Sequence, residues 1–210
     1  MIDISTDKAV DPINLYGMSK AIGERLIIQA NARDTDTRFI CVRGGNVLGT
    51  NGSVVPLFKS QIETRGAITI TDRNMTRFFL TVSEAIGLVF KAAEEGIGGE
   101  IFVMRMPACK ITDLARILIE HSGRVDVKVS ETGIRPGEKL HEVLVSPSES
   151  VTAYQFDNNY YVIVGTHSLK ELTEAYGQLP RVPFLSYKSD DVIMEPSEIR
   201  NMLMQGGFLA

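Results

Sequence analysis

The chain has 210 residues, 44% hydrophobic and 23% charged, with a net charge of −4. That length allows one sizeable core or one domain plus a lobe, and the acidic balance gives a nucleic-acid partner no electrostatic support. No apolar run approaches the roughly 20 residues of a membrane helix, and Asp3, Asp7, Lys8 and Asp11 break up the start where a secretory signal would be apolar, so a cytoplasmic protein without a membrane partner is expected.

Taken in order, Ile2 to Ser5 reads as the end of a core strand. Asn14 or Pro12 opens a helix to about Ala32, with Ile22, Leu26, Ile27 and Ala30 expected as its buried stripe. Arg38 to Arg43 is a continuous β-prone run, as in a buried parallel strand, and Gly44-Gly45-Asn46 breaks it. Ser53 caps a helix to about Arg65, with Pro56 tolerated in its first turn. Ile68 to Thr71 and Thr76 to Leu80 are short strands. Thr81 caps a helix from Val82 to Glu95, which Gly96, Gly98 and Gly99 end. Glu100 to Met104 is a strand, Thr112 caps a helix to about His121, and Val125 to Val129 is a further strand.

From Gly133 the pattern changes. Arg135 to Lys139 is a turn leading into a short helix through Val143, Tyr160 to Val164 is a strand, and Pro196 to Gln205 is a final amphipathic helix. Alternating strands and helices argue α/β. The expected architecture is the back part of a Rossmann-type parallel sheet with a smaller mixed α+β substrate-binding lobe. Residues 1–45 with 82–105 are assigned to the sheet domain; 46–81 and 106–210 fall mainly in the lobe. Cys41 and Cys109 are isolated, which fits small buried hydrophobes in a reducing compartment. His121, His141 and His167 are scattered, and no metal site is expected.

The chemistry-bearing residues gather at the beginning. Thr6, Asp7 and Lys8 follow the first strand, and strand ends are where open α/β sheets place their chemistry. Tyr16 and Lys20 stand four apart, on one face of a helix. A phenol is a poor base at neutral pH, and a nearby ammonium favours its ionised form. A hydroxyl, a carboxylate, two amines and a phenol in this order are equipment for taking a proton from a sugar hydroxyl while hydride leaves the carbon beneath it.

With S-T-D-K-A-V, Y-G-M-S-K, V-R-G-G-N-V-L-G, G-S-V-V-P, M-T-R-F and R-P-G-E-K-L-H-E in one order, the chain resembles the extended short-chain dehydrogenase/reductase superfamily. Within it, the likeness is to nucleotide-sugar 4,6-dehydratases of the UDP-N-acetylglucosamine group. The resemblance implies NADP, or alternatively NAD, as cofactor and a UDP-sugar as substrate. Thr6, Tyr16 and Lys20 match the hydroxyl-tyrosine-lysine set, with Tyr16 as base at the sugar 4-hydroxyl and Lys20 on the nicotinamide ribose. Lys8 matches the base that takes the C5 proton and Asp7 the acid that protonates the departing 6-hydroxyl, though the two could exchange roles. Related dTDP-glucose and GDP-mannose enzymes typically carry Asp-Glu where Asp7-Lys8 stands.

The same resemblance assigns Asn46, Arg77 and Arg135 to the substrate diphosphate, Glu138 to the uridine ribose, and Gly52, Ser53 and Val54 to the nucleotide's path. It also implies a homo-oligomer formed beside the tyrosine helix. The Gly-rich strand-turn-helix that holds the cofactor pyrophosphate is not in these residues, so a missing N-terminal portion is expected and the chain is expected to be incomplete for activity. Gly44 replaces the aromatic usual before Gly-Asn-Val, and Phe79 stands where Trp is common. An epimerase or reductase of the same superfamily, or a non-catalytic sugar-nucleotide-binding module, are the alternatives.

Overall fold

The computed structural model describes residues 1–32, 36–50, 52–165 and 170–209. In chain order the elements begin with β1 (Ile2–Thr6), a 3-10 turn (Asp7–Ala9), α1 (Leu15–Ala30), β2 (Ile40–Gly44), β3 (Asn46–Val47) and α2 (Val54–Arg65). There follow β4 (Ala67–Ile70), β5 (Thr76–Leu80), α3 (Val82–Glu95), β6 (Glu100–Met104), β7 (Ala108–Lys110), α4 (Ile111–Ser122) and β8 (Lys128–Glu131). The last are β9 (Val143–Val145), α5 (Pro147–Ser150), β10 (Ala153–Gln155), β11 (Tyr160–Val164), α6 (Lys170–Tyr176), β12 (Tyr187–Lys188) and α7 (Pro196–Gln205).

The chain forms two compact units. The first comprises Met1–Gly45, Ser83–Met106 and Val143–Lys188. Its sheet runs β1-β2-β6-β11-β10, parallel from β1 to β6 and antiparallel beyond. Alternation along β2 sends Ile40 and Val42 into a core with Leu88 and Ala92 of α3. On the other face the Cys41 thiol donates to the Glu24 carbonyl of α1. Helices therefore lie on both faces, as a parallel sheet requires.

The second unit comprises Asn46–Val82, Pro107–Glu142 and Ser189–Ala210. Two small sheets, β3-β5-β7 and β4-β8, share an apolar core with α2, α4 and α7, built on Phe58, Ile62, Ile68, Leu114, Ile117 and Leu203. Gly66 ends α2 in the left-handed conformation (φ 59°), which glycine adopts without steric cost.

Several expectations are corrected. Residues 143–188, expected in the lobe, belong to the first unit, because β11 pairs along the whole of β6 and closes the sheet with β10. The expected stripe of α1 is not buried: Ile22 and Leu26 are 60% and 63% exposed, and the buried residues of α1 are Gly17 and Glu24. Helical spacing identifies a face but not what covers it. Lys110, not Thr112, stands at the N-cap of α4, and it gives no side-chain cap bond. The strand expected at Val125 begins at Lys128, where β8 finds its partner in β4. No helix forms before Val143, because the Lys139 and Leu140 carbonyls accept from Arg77, and that of Leu140 also from the Thr76 amide of β5, instead of from helical turns. His167 lies outside the described residues.

Candidate active site and nucleotide cavity

In the first unit, β1 runs into the 3-10 turn, and Thr6 caps that turn through its hydroxyl, which accepts from the Lys8 amide. The Thr6 hydroxyl also donates to Asp7 Oδ1 at 2.9 Å, and Lys8 Nζ reaches the same oxygen at 3.0 Å. Asp7 is fully buried, and its other oxygen, Oδ2, has no hydrogen-bond partner. A carboxylate in that state is held ready for a further donor, since an unpaired buried oxygen is costly. Thr6, Asp7 and Lys8 are thus joined in one bonded cluster.

Asp11, at φ 43°, turns the chain from the cluster toward α1; the short polar side chain tolerates this conformation. Asn14 caps α1 by accepting from the Gly17 amide at 2.8 Å. The helix start lies directly on the turn: a Cβ on Gly17 would come within 2.3 Å of the Lys8 carbonyl oxygen, so only glycine permits this approach. Tyr16 is exposed beside that contact, and Lys20 Nζ donates to the Ile4 carbonyl of β1 at 2.8 Å.

The residues expected on the substrate side lie in the second unit. Asn46, Ser53, Arg77, Arg135 and Glu138 all line one cavity of about 230 Å³, with Gly52 and Val54. Four separate stretches of chain meet there, so the structure brings these five residues together. Asn46 Nδ2 donates to the Phe78 carbonyl at 3.1 Å. The Ser53 hydroxyl is buried without a partner. Arg77 is nearly buried: Nη1 donates to the Thr76 and Leu140 carbonyls, and Nη2 to the Lys139 carbonyl and Glu138. Its Nε lies 3.7 Å from Glu142. Arg135 is exposed, and its backbone amide donates to Glu138 at 3.3 Å.

The structure adds wall residues that the sequence did not single out: Leu57, Phe58, Thr69, Thr71, Met75 and Ile111. Gln61 fixes Thr69 by accepting from its amide and donating to its hydroxyl. A β-prone run identifies a strand such as β4, but gives no sign of which edge faces a cavity.

The fold is the Rossmann-type α/β arrangement of the short-chain dehydrogenase/reductase superfamily. The chain belongs to the polysaccharide biosynthesis protein family, whose model matches residues 1–164. It is 44% identical over 165 residues to a UDP-N-acetylglucosamine 4,6-dehydratase (inverting) of Campylobacter jejuni, covering 77% of this chain and 48% of that protein. It is 40% identical over 164 residues to a UDP-glucose 4-epimerase of Rickettsia canadensis, with the same coverage of each. The structure of Pen from Bacillus thuringiensis superposes on the whole chain with a TM-score of 0.88 and 33% identity, over 62% of Pen. The chain spans about half the length, or less, of the curated relatives it matches.

Proposed function

We propose that this chain carries the chemical and substrate-binding residues of an enzyme that dehydrates a UDP-amino-sugar, UDP-N-acetylglucosamine, to a 4-keto-6-deoxy sugar for surface polysaccharide or glycan synthesis. The observation that carries the proposal is the bonded cluster of Thr6, Asp7 and Lys8 against the start of the Tyr16 helix. Tyr16 removes the proton of the sugar 4-hydroxyl, with Lys20 one turn further along the same helix. Once C4 is a ketone the C5 proton is acidic. Lys8 takes it, and Asp7 gives a proton to the departing 6-hydroxyl. A nicotinamide cofactor, NADP or NAD, supplies the hydride acceptor and donor, with Tyr16 and Lys20 at its ribose.

The cavity of the second unit suits a uridine diphosphate. Arg135 and Asn46 supply charge and a donor for phosphate, and Glu138 an acceptor for ribose hydroxyls. In β4 the Ile70 carbonyl is taken by Thr132, next to β8. Strand alternation turns the backbone of Thr69 and Thr71 the other way, where the Thr69 amide is taken by Gln61 and both residues line the cavity. The exposed apolar side chains Leu15, Met18, Ile22 and Leu26 along α1 support association of two copies.

Calorimetric titration of the chain with UDP tests the cavity; micromolar binding is expected, with GDP much weaker. NMR product analysis tests the chemistry, using UDP-N-acetylglucosamine, NADP and the chain joined to the Gly-rich half of a longer relative. A 4-keto-6-deoxy product is expected, and unchanged substrate refutes the assignment. An epimerase is the second reading, favoured by the Rickettsia relative. It predicts an epimerised product with oxygen retained at C6, and gives Asp7 and Lys8 no elimination to perform.

A further inference from the structure

Arg43, at the end of β2, is 1% exposed, and its guanidinium is saturated. Nε and Nη2 donate to the two Glu24 oxygens at 3.0 and 2.7 Å. Nη1 and Nη2 donate to the two Glu149 oxygens at 3.1 and 3.0 Å, and Nη1 also donates to the Leu144 carbonyl at 2.8 Å. One cation thus holds two carboxylates in bidentate fashion, together with a strand carbonyl.

Each partner leads to a different part of the candidate active site. Glu24 lies on α1, eight residues or about 12 Å along the helix from Tyr16. Leu15, Met18, Ile22 and Leu26 of α1 point outward, Ala21, Ile27 and Ile28 are half-buried, and the buried residues are Gly17 and Glu24. Its polar anchors are Glu24 and the Lys20 bond to β1, and its close approach to the 3-10 turn is at Gly17. Leu144 lies in β9 and Glu149 in α5, and β9 packs against the 3-10 turn that carries Asp7 and Lys8. Glu149 is locked further by the amide and hydroxyl of Ser146. Burial pushes the Glu149 carboxyl up, but the Arg43 charge and these bonds outweigh it and hold it below the usual carboxylate range.

A buried charge cluster is a poor source of stability, because apolar side chains of similar volume serve as well or better. What it provides is a single geometry. We propose that Arg43 is a positioning residue, the hub that fixes the Tyr16–Lys20 helix relative to the Asp7–Lys8 turn. The proposal rests on the reading of those four residues as the reacting set.

The test is competitive amine labelling of the chain with acetic anhydride across pH, read by mass spectrometry at Lys8 and Lys20, with Lys128 and Lys170 as internal references. The variants are Arg43→Met and the combination Arg43→Met, Glu24→Leu, Glu149→Gln, which removes the charges together and keeps the capping hydrogen bonds of Glu149. In the triple variant, thermal stability near wild type is expected while the labelling of Lys8 and Lys20 changes by about threefold or more, equivalent to about half a pKa unit. Arg43→Lys, which engages one carboxylate at a time, gives an intermediate change. Should Arg43→Met fail to fold, the triple variant decides. If that fails too, Glu149→Gln alone decides, with a smaller change expected at Lys8. Wild-type labelling at both lysines in a folded variant overturns the proposal. Labelling measures geometry without turnover, so altered labelling in the variants, together with unchanged UDP-N-acetylglucosamine from the wild-type chain joined to the Gly-rich half of a longer relative, sinks the functional reading and leaves the hub standing.

Discussion

The two units hold their polar groups by contrasting means. In the first, the candidate chemistry is nearly contiguous: Thr6, Asp7 and Lys8 bond to one another, and α1 returns at once onto their turn. In the second, the cavity is assembled from residues near 46–58, 69–79, 111 and 135–138, and Arg77 gives most of its donors to the 138–142 segment, whose Glu138 lines the cavity. A contiguous site depends on how one helix is seated. An assembled cavity depends on the core beneath it.

That contrast sets an order of expected effects. Tyr16→Phe should lower hydride transfer by about 10²- to 10⁴-fold, the range for loss of a general base. UDP affinity, measured by calorimetry, should stay unchanged; a parallel loss of UDP binding would break the separation between the two sites. Phe58→Ala should cost about 3–5 kcal/mol in chemical denaturation, since Phe58 is 2% exposed in the core of the second unit and lines the cavity floor. Arg135→Ala should weaken UDP binding by about 10- to 100-fold, as expected for a charge-assisted phosphate contact. The thermal midpoint should hardly move, because the side chain is exposed.

The smallest effect concerns Glu100 in the first unit. Burial pushes its carboxyl up, more than the amides of Ile97 and Gly98 and the Tyr176 hydroxyl pull it down. A raised carboxyl contributes stability below its unfolded value, about pH 4.3, and that stability is lost as pH rises through the folded value. Glu100→Gln should therefore gain in thermal midpoint over the wild type between pH 4 and pH 8; a difference that stays flat with pH would contradict the burial argument.

Much of the strand and helix content was legible in the sequence because strands such as Tyr160 to Val164 and helices such as Val82 to Glu95 carry their own period and punctuation. The short β10 and the swing of 143–188 onto the sheet were not, since three residues of strand carry almost no pattern and their place is set by a partner far away in sequence. The side chains expected at the nucleotide cavity came from motif resemblance and do meet in one cavity. Thr69 and Thr71 went unnoticed because a β-prone run gives no sign of which of its residues line a cavity.

The amino-acid order alone determined the alternation of elements, the turn that carries Thr6, Asp7 and Lys8, and the four-residue spacing that puts Tyr16 and Lys20 on one face, because all three are local in the chain. Only the tertiary structure decided that Arg43 would grip Glu24 and Glu149, that the apolar stripe of α1 would face outward, and that Asn46, Ser53, Arg77, Arg135 and Glu138 would share a cavity. Those outcomes depend on which distant surfaces remain to be buried and which charges remain to be paired, and no window of sequence contains that information.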